Sequence, residues 1–371
     1  MKKNLNNIAE DKQSNFNLLL NGFDTIQCAY YLEPELNASI DFTELTAMKE
    51  SIRNSKIKKF LPIMIGDLEF LLYQSGSKSG YPFIISNEYF KIEFGEFNIP
   101  NFFVTFTSQA LWQNSPYELH SKLIEWASSV GYRQYANESL SRVDYCFDYK
   151  IDNLDFDEDS FVSRSVIDSK YRENRKVQTF NFGKGAIVFR MYDKVAEIKN
   201  QSDKVWFFIL WEEDEDVWRI EWQNRKDILK KFGIMTFQDL QERLGLLLGY
   251  LAEEHDTLRV PTEDSNRSRW PLHPLWIDLQ ENIKELENLE VCKVYGQNAS
   301  IDERKIQMII SMYGYMKRLA AIYCMQNKVP NVNLDDTIAH TMNIIKEKLY
   351  EQLSWQLDVE KRRKEMLLGE W

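Results

Sequence analysis

"VQTFNFGKGAIVFRMYDK", Val177 to Lys194, is the stretch on which the reading of this chain turns. Two runs rich in aromatic and β-branched residues flank Gly183-Lys184-Gly185, the pattern of an antiparallel hairpin turning on its glycines. The second run ends in "FRMYDK", Phe189 to Lys194. Side chains alternate along a strand, so Arg190, Tyr192 and Lys194 share a face. A packing tyrosine has no use for a cation at both same-face neighbours. A tyrosine that attacks a phosphate does.

Two further strands repeat the pattern. "SRVDYCFDYK", Ser141 to Lys150, sets Arg142, Asp144, Cys146 and Asp148 on one face and Val143, Tyr145 and Phe147 on the other. "WRIEWQNR", Trp218 to Arg225, sets Arg219, Glu221 and Gln223 opposite Ile220 and Trp222. Each strand thus carries an arginine two residues from a functional group. For one strand alone, the simpler reading is cross-strand charge pairing on a solvated face, worth about a few tenths of a kcal/mol per pair. Three repeats, with a tyrosine replacing the acid in only one, favour a site.

Outward from these strands, residues 1 to about 20 are polar and Asn/Lys-rich, a loose N-terminus. "DTIQCAYYLE" reads as a first strand, and "DFTELTAMKESIRNSK" as a helix capped by Asp41 with Glu44 three positions on. Between residues 60 and 110, short aromatic runs broken by "GSKSGYP" and "FNIPN" read as an antiparallel meander. "SPYELHSKLIEWASSVGY" is a helix with Ser115 as cap, Pro116 in its first turn and Gly131 past its end. "VWFFILWEEDEDVWRIEWQNR" reads as a hairpin with an acidic tip. Thr236 and Asp239 box the start of "FQDLQERLGLLLGYLAEEH", and "RWPLHPLW" (Arg269–Trp276) is a proline-punctuated hinge. The expectation is an α+β fold, mostly antiparallel sheets with flanking helices, followed by a helical C-terminal region. The divisions are a flexible 1–20, a functional domain 21–268 and helices over 269–371.

The chain has 371 residues, 44% of them hydrophobic and 13% aromatic, enough for a large core. A net charge of −11 argues against coating nucleic acid through a bulk positive field, though not against a local basic patch. Cys28, Cys146, Cys292 and Cys324 form no CxxC pair and read as reduced thiols. "LNNIAEDKQSN" is too polar for a signal-peptide core, and the longest strongly apolar run, "WFFIL", is far short of the ~20 residues of a membrane span. A soluble, cytoplasmic protein with no membrane role is expected.

The chemistry of the three strands is that of phosphoryl transfer. Asp144 and Glu221 are hard oxygen ligands suited to Mg²⁺ or Mn²⁺, which would polarise a phosphodiester. Forming a phenolate at neutral pH costs roughly 4 kcal/mol, and Arg190, Lys194 and a metal are the means of lowering that cost. The resulting phosphotyrosine keeps the energy of the broken bond, so joining needs no ATP.

Together "SRVDYCFDY", "FRMYDKVAEI", "WRIEWQNR" and "SRWPLHPLW" resemble the Rep_trans-type replication initiation factors. These are rolling-circle plasmid initiators and the related relaxases of conjugative elements. The resemblance covers about residues 20 to 280, and R-x-Y-[DE]-K followed by a glutamate, here Glu197, is its most specific piece. It implies that Tyr192 nicks one DNA strand, stays joined to the 5′ phosphate and leaves a 3′ hydroxyl. Asp144 and Glu221 match the family's acidic, metal-holding positions, and Asp148 is carried over with them, its alternative role being to cap the strand. Arg142 and Arg219 are expected at the DNA. The implied partners are DNA at an origin of replication or transfer, a host helicase and a polymerase, with a homodimer allowed. The four histidines (His120, His255, His273 and His340) form no His-hydrophobe-His pair, which leaves a third ligand open, Glu197 or a water.

"RSVIDSKYRENRKVQTF", Arg164 to Phe180, gathers Arg172, Arg175 and Lys176 just before the tyrosine hairpin. It is read either as a grip on the DNA backbone or as an ordinary solvated loop. "EEDED" reads as a solvated tip and "EKRRKE" as a solvated helix face. The rival functions are a non-catalytic origin-binding protein on the same scaffold, and a tyrosine recombinase. The second is disfavoured because this tyrosine sits on a strand among acids.

Overall fold

A computed structural model describes residues 16–55, 60–173, 176–202, 204–288 and 301–367. The chain divides into two units, 1–299 and 300–371.

The first unit opens with β1 (Phe16–Pro34), α1 (Phe42–Asn54), β2 (Phe60–Ile65), β3 (Leu68–Tyr73), β4 (Phe83–Ser86), β5 (Phe90–Phe94) and β6 (Phe102–Phe106). Next come α2 (Ser108–Gln113), α3 (Pro116–Ser129), β7 (Tyr132–Ile151), β8 (Phe161–Ser163), β9 (Asp168–Glu173), β10 (Lys176–Phe182), β11 (Ile187–Asp193) and α4 (Lys194–Glu197). Then follow α5 (Phe207–Trp211), β12 (Val217–Arg225), α6 (Lys226–Lys231), α7 (Phe237–Tyr250), β13 (Asp256–Leu258) and α8 (Pro274–Asn288). Eleven strands form one antiparallel sheet in the order β2-β3-β4-β5-β6-β1-β7-β12-β11-β10-β9, and β13 pairs with β8 apart from it. The α+β expectation therefore holds, as does the meander over β2–β6.

The caps act as read. Asp41 accepts from the backbone N–H groups of Thr43 and Glu44 at the start of α1. Ser115 and Glu118 box α3, Thr236 and Asp239 box α7, and Gly131 leaves α3 at φ +76°, a conformation that favours glycine.

One sheet face buries the main core. Ile26, Tyr30, Phe102, Val104, Phe106, Phe90 and Phe94 point at α1 and α3, where Trp126 packs on Phe70 and Phe102. Further along, Phe147, Trp222 and Phe189 meet Trp276 of α8. Trp276 is fully buried and its indole N–H donates to the Ala252 carbonyl at 2.7 Å. The proline-punctuated Arg269–Trp276 therefore anchors α8 to the sheet, and the unit boundary falls beyond it, at 299/300.

Two readings need correction. The first strand begins at Phe16 rather than at Asp24, so residues 16–20 belong to the sheet. The stretch before β12 is not the partner arm of a hairpin, because Phe207–Trp211 is a short helix. Its Phe207 and Trp211, four residues apart, stack at 5.0 Å and pack with Trp112, Val195 and Ile198. A short apolar run has no periodicity that separates strand from buried helix. Glu212 and Asp216, both at φ 55°, then turn the chain into β12.

The second unit holds α9 (Ile301–Asn327), α10 (Leu334–Lys348) and α11 (Gln352–Leu367). Asn333 caps α10, and His340 of α10 meets Tyr323 of α9 with ring centroids 4.8 Å apart. Among the described residues, no helix is long and apolar enough to cross a membrane.

Candidate active site

Strands β11, β12 and β7 lie side by side, so the three arginine-bearing faces meet as one. Their register is Arg190 beside Glu221 beside Cys146, and Tyr192 beside Arg219 beside Asp148. Gln223 pairs with Asp144, which makes Asp144 and Glu221 diagonal neighbours.

Tyr192 is half-buried and lines an open cleft of about 450 Å³ with Arg190, Glu221, Glu197, Asn200, Gln201 and Thr179. Its hydroxyl donates to Glu221 Oε2 at 3.0 Å. Arg190 donates to Glu221 Oε1 at 3.1 Å and to Gln223 Oε1 at 3.3 Å. One carboxylate thus holds the phenol with one oxygen and a guanidinium with the other. Burial first, and then the Glu221 charge, push the Tyr192 phenol well above its ordinary value, while Arg219 pulls it partly back. At rest this tyrosine is neutral and points its proton at a base.

Asp144 is buried, and Arg142 grips both its oxygens, with Nε at 2.8 and 3.0 Å and Nη2 closer still. Burial raises its carboxyl to about 7; the bonds from Arg142 oppose the rise, and the charges of Glu221 and Asp24 add to it. A buried carboxylate with a second carboxylate beside it offers hard oxygens on which a cation would offset the like charges.

The other expected residues sit differently. Asp148 is wholly buried and has no oxygen to spare: Arg219 Nε donates to Oδ1 at 2.6 Å, and Arg219 Nη2 and Trp211 Nε1 donate to Oδ2 at 2.8 and 2.9 Å. It clamps β7 to β12 and α5 and does not reach the cleft. Arg219, expected at DNA, is likewise 0% exposed. It bonds Asp148 and Asp24 and lies 4.6 Å from the Phe207 ring centroid. Lys194 has left the strand: Asp193 caps α4, and Lys194 is buried against Glu197 at 2.6 Å, with the Tyr192 ring centroid 5.5 Å away. Burial and then Arg219 lower its pKa. Glu197 faces the cleft but is already paired.

Arg172 and Lys176 lie on the backbones of β9 and β10, at the outer end of the sheet; Arg175 lies outside the described residues, as does Cys292. Cys28 and Cys146 are buried free thiols, and Cys324 is half-buried.

Asp24 escaped sequence reasoning. It accepts from Arg219 at 2.7 Å, Ser108 at 3.0 Å and Lys204 at 3.4 Å. Burial would raise it, but Arg219, Lys204 and Lys194 outweigh that and hold it well below the usual carboxylate range. The register of β1 on β7 slips between Phe23 and Thr25, a bulge at which a period-two reading of β1 fails.

Among the described residues, no three His, Cys, Asp or Glu side chains gather as a metal-holding group. A cation here would rest on Asp144 and Glu221, with substrate oxygens and waters completing its shell, as Mg²⁺ commonly does with phosphates.

No family model matches the chain, and no curated protein matches it in sequence. Among solved structures it is similar to a rolling circle replication initiator protein from Geobacillus stearothermophilus, with 18% identity and a TM-score of 0.41. That match covers 72% of this chain and 97% of the other.

Proposed function

We propose that this protein nicks and rejoins one strand of DNA through a phosphotyrosine, and so starts rolling-circle replication or conjugative transfer. The observation that carries this reading is the Tyr192 hydroxyl, 3.0 Å from a carboxylate and lining a cleft whose rim includes Arg190. The resemblance of "FRMYDK", "SRVDYCFDY" and "WRIEWQNR" to initiator motifs supports it.

In the forward step the Tyr192 oxygen attacks the scissile phosphorus while its proton passes to Glu221 Oε2. The P–O3′ bond breaks, the 3′ oxygen leaves and takes a proton from water in the open cleft, to which Glu221 then releases the one it accepted, and the 5′ phosphate stays on Tyr192. Rejoining reverses these bonds. Arg190, held by Glu221 and Gln223, is placed to offer a guanidinium N–H to the phosphate as charge builds on its oxygens. Mg²⁺ or Mn²⁺ on Asp144 and Glu221 would supply Lewis-acid polarisation of the phosphate. Arg142 would then be relieved of its hold on Asp144.

Purified protein with supercoiled DNA carrying its own gene, with and without Mg²⁺, tests the reading. Nicked circles bearing covalently attached protein are expected. Binding without nicking would leave a non-catalytic DNA-binding protein.

A further inference from the structure

The sheet face that carries Tyr192 continues beyond the cleft. A cross-strand row runs Arg225 (β12), Arg142 (β7), Gln27 (β1), Thr105 (β6) and Lys91 (β5), each the register partner of the next. Arg142 shares this face with the site, because it bonds Asp144. Gln27 Nε2 reaches Thr105 Oγ1 at 3.4 Å, so these two are also on one face.

On this side β3 to β6 alternate differently from a two-layered sheet. The residues facing α1 and α3 are buried, whereas Tyr73, Ile84, Lys91, Phe103 and Thr105 are all half-exposed or exposed. At the other end of the same face, Trp112, Phe207 and Trp211 cover Arg219 and Asp148. The site therefore stands at the border between a roofed and an open half-sheet. All five members of the row are hydrogen-bond donors. Two carboxylates on this face, Glu93 and Asp144, are each tied to a cation of the row, Lys91 and Arg142. Arg225 is exposed and has no ion pair among the described residues. Phe103, two residues from Thr105 on the same face, presents a half-exposed ring.

We infer that single-stranded DNA on one side of the scissile phosphate lies across this open half-sheet, from Tyr192 over Arg225 and Gln27 to Lys91, with a base stacked on Phe103. This rests on the nicking reading above and adds where the strand goes. A donor row with an aromatic platform suits a single strand, whose phosphates accept and whose bases are free to stack. A duplex offers no unstacked base to Phe103. From β11 to β5 is five strand spacings, about 24 Å at ~4.8 Å each, and Arg225 lies six residues along β12 from Arg219, the register partner of Tyr192, about 20 Å at ~3.3 Å per residue. The diagonal from Tyr192 to Lys91 is therefore about 31 Å, about nine nucleotides at the ~3.4 Å per nucleotide of a stacked strand.

The test is fluorescence anisotropy of full-length protein with a labelled mixed-sequence 20-nucleotide single strand and with its duplex, over a salt series. K91Q/R225Q together should weaken single-strand binding by roughly ten-fold and flatten the log K against log[salt] slope by about 1.4, at ~0.7 per lost contact. F103A should weaken binding by several-fold and leave the slope unchanged. Both variants should melt like wild type. Photocrosslinking from iodouracil in the strand should label the peptide containing Phe103. Wild-type affinity in both variants overturns the track, as does equal sensitivity of duplex binding, or no single-strand binding by wild type. Adduct formation at Tyr192, scored separately in wild type on the supercoiled plasmid, tells failure of the track from failure of the nicking reading.

Discussion

Tyr192 and Glu221 face each other across β11 and β12, the hydroxyl donating to Oε2 at 3.0 Å while Arg190 holds Oε1. The cation at the position of strongest coupling to the phenol is not one of its two neighbours in "RMYDK". It is Arg219, the register partner of Tyr192 on the adjacent strand. Lys194 is turned into α4, and Arg190 points at Glu221 and Gln223 rather than at the phenol. The phenol thus rests beside a base, its proton already directed.

Tyr192→Phe removes that one donor and keeps the ring. Nicking should fall to background and no covalent protein–DNA adduct should form on a single-stranded oligonucleotide carrying the site, with the melting temperature little changed. Tyr145→Phe is the control, since the Tyr145 hydroxyl bonds Asn21 at 2.7 Å on the opposite side of β7 from Asp144. An adduct that persists in Tyr192→Phe, or one mapped by mass spectrometry to another peptide, sinks the mechanism.

Asp144 carries the pH dependence. Burial first of all holds its carboxyl at about 7, above the ~3.9 of an ordinary aspartate. It therefore costs nothing below about pH 4, a growing amount as pH climbs towards 7, and its full penalty above that. Without divalent ions, Asp144→Asn should be more stable than wild type at pH 8 by on the order of 1–4 kcal/mol, with the difference closing towards pH 4. Mg²⁺ or Mn²⁺ should raise the wild-type melting temperature at pH 8 and leave Asp144→Asn unmoved. EDTA, Asp144→Ala and Glu221→Ala should each abolish nicking. Full activity in EDTA would remove the metal from the mechanism.

The basic connection before the hairpin gives a separate measurement. Neutralising Arg172, Arg175 and Lys176 should weaken DNA binding most at low salt. It should lower the slope of log K against log[salt] by about one per lost contact on duplex. If the slope stays the same, the grip lies elsewhere and this connection faces solvent.

Much of the sheet was legible because its strands alternate so regularly. Period two put Arg142 with Asp144, Arg190 with Tyr192 and Arg219 with Glu221, each pair on one face of its own strand, and the hairpin turn at Gly183–Gly185 fixed two neighbours; only the pairing of β11, β12 and β7 made the three faces one. Period two says which residues share a face, not what covers it. Asp148 and Arg219 looked available on that face. Trp112, Phe207 and Trp211, from segments distant in sequence, close over them. Asp24 was invisible for another reason, because a bulge breaks the alternation at that residue. Lys194 was read as strand one residue too far, because the capping role of Asp193 turns the chain into α4.

The roles of Asp148 as ligand and as clamp predict different failures. A ligand that is lost takes activity with it and leaves the fold. A clamp that is lost leaves Arg219, at 0% exposure, with one carboxylate in place of two, and leaves the Trp211 indole N–H without its acceptor. Breaking one side of a buried ion pair costs roughly 3–5 kcal/mol. Asp148→Ala should therefore lower the urea midpoint sharply, and divalent ions should not restore it. Asp148→Asn keeps an acceptor for Trp211 but loses the charge, and should lie between Asp148→Ala and wild type. Arg219→Met should unfold at least as readily, because Asp148 and Asp24 would then both be buried without their cation. Should Asp148→Ala instead melt like wild type while losing metal-dependent nicking, Asp148 would be returned to the metal and the clamp discarded.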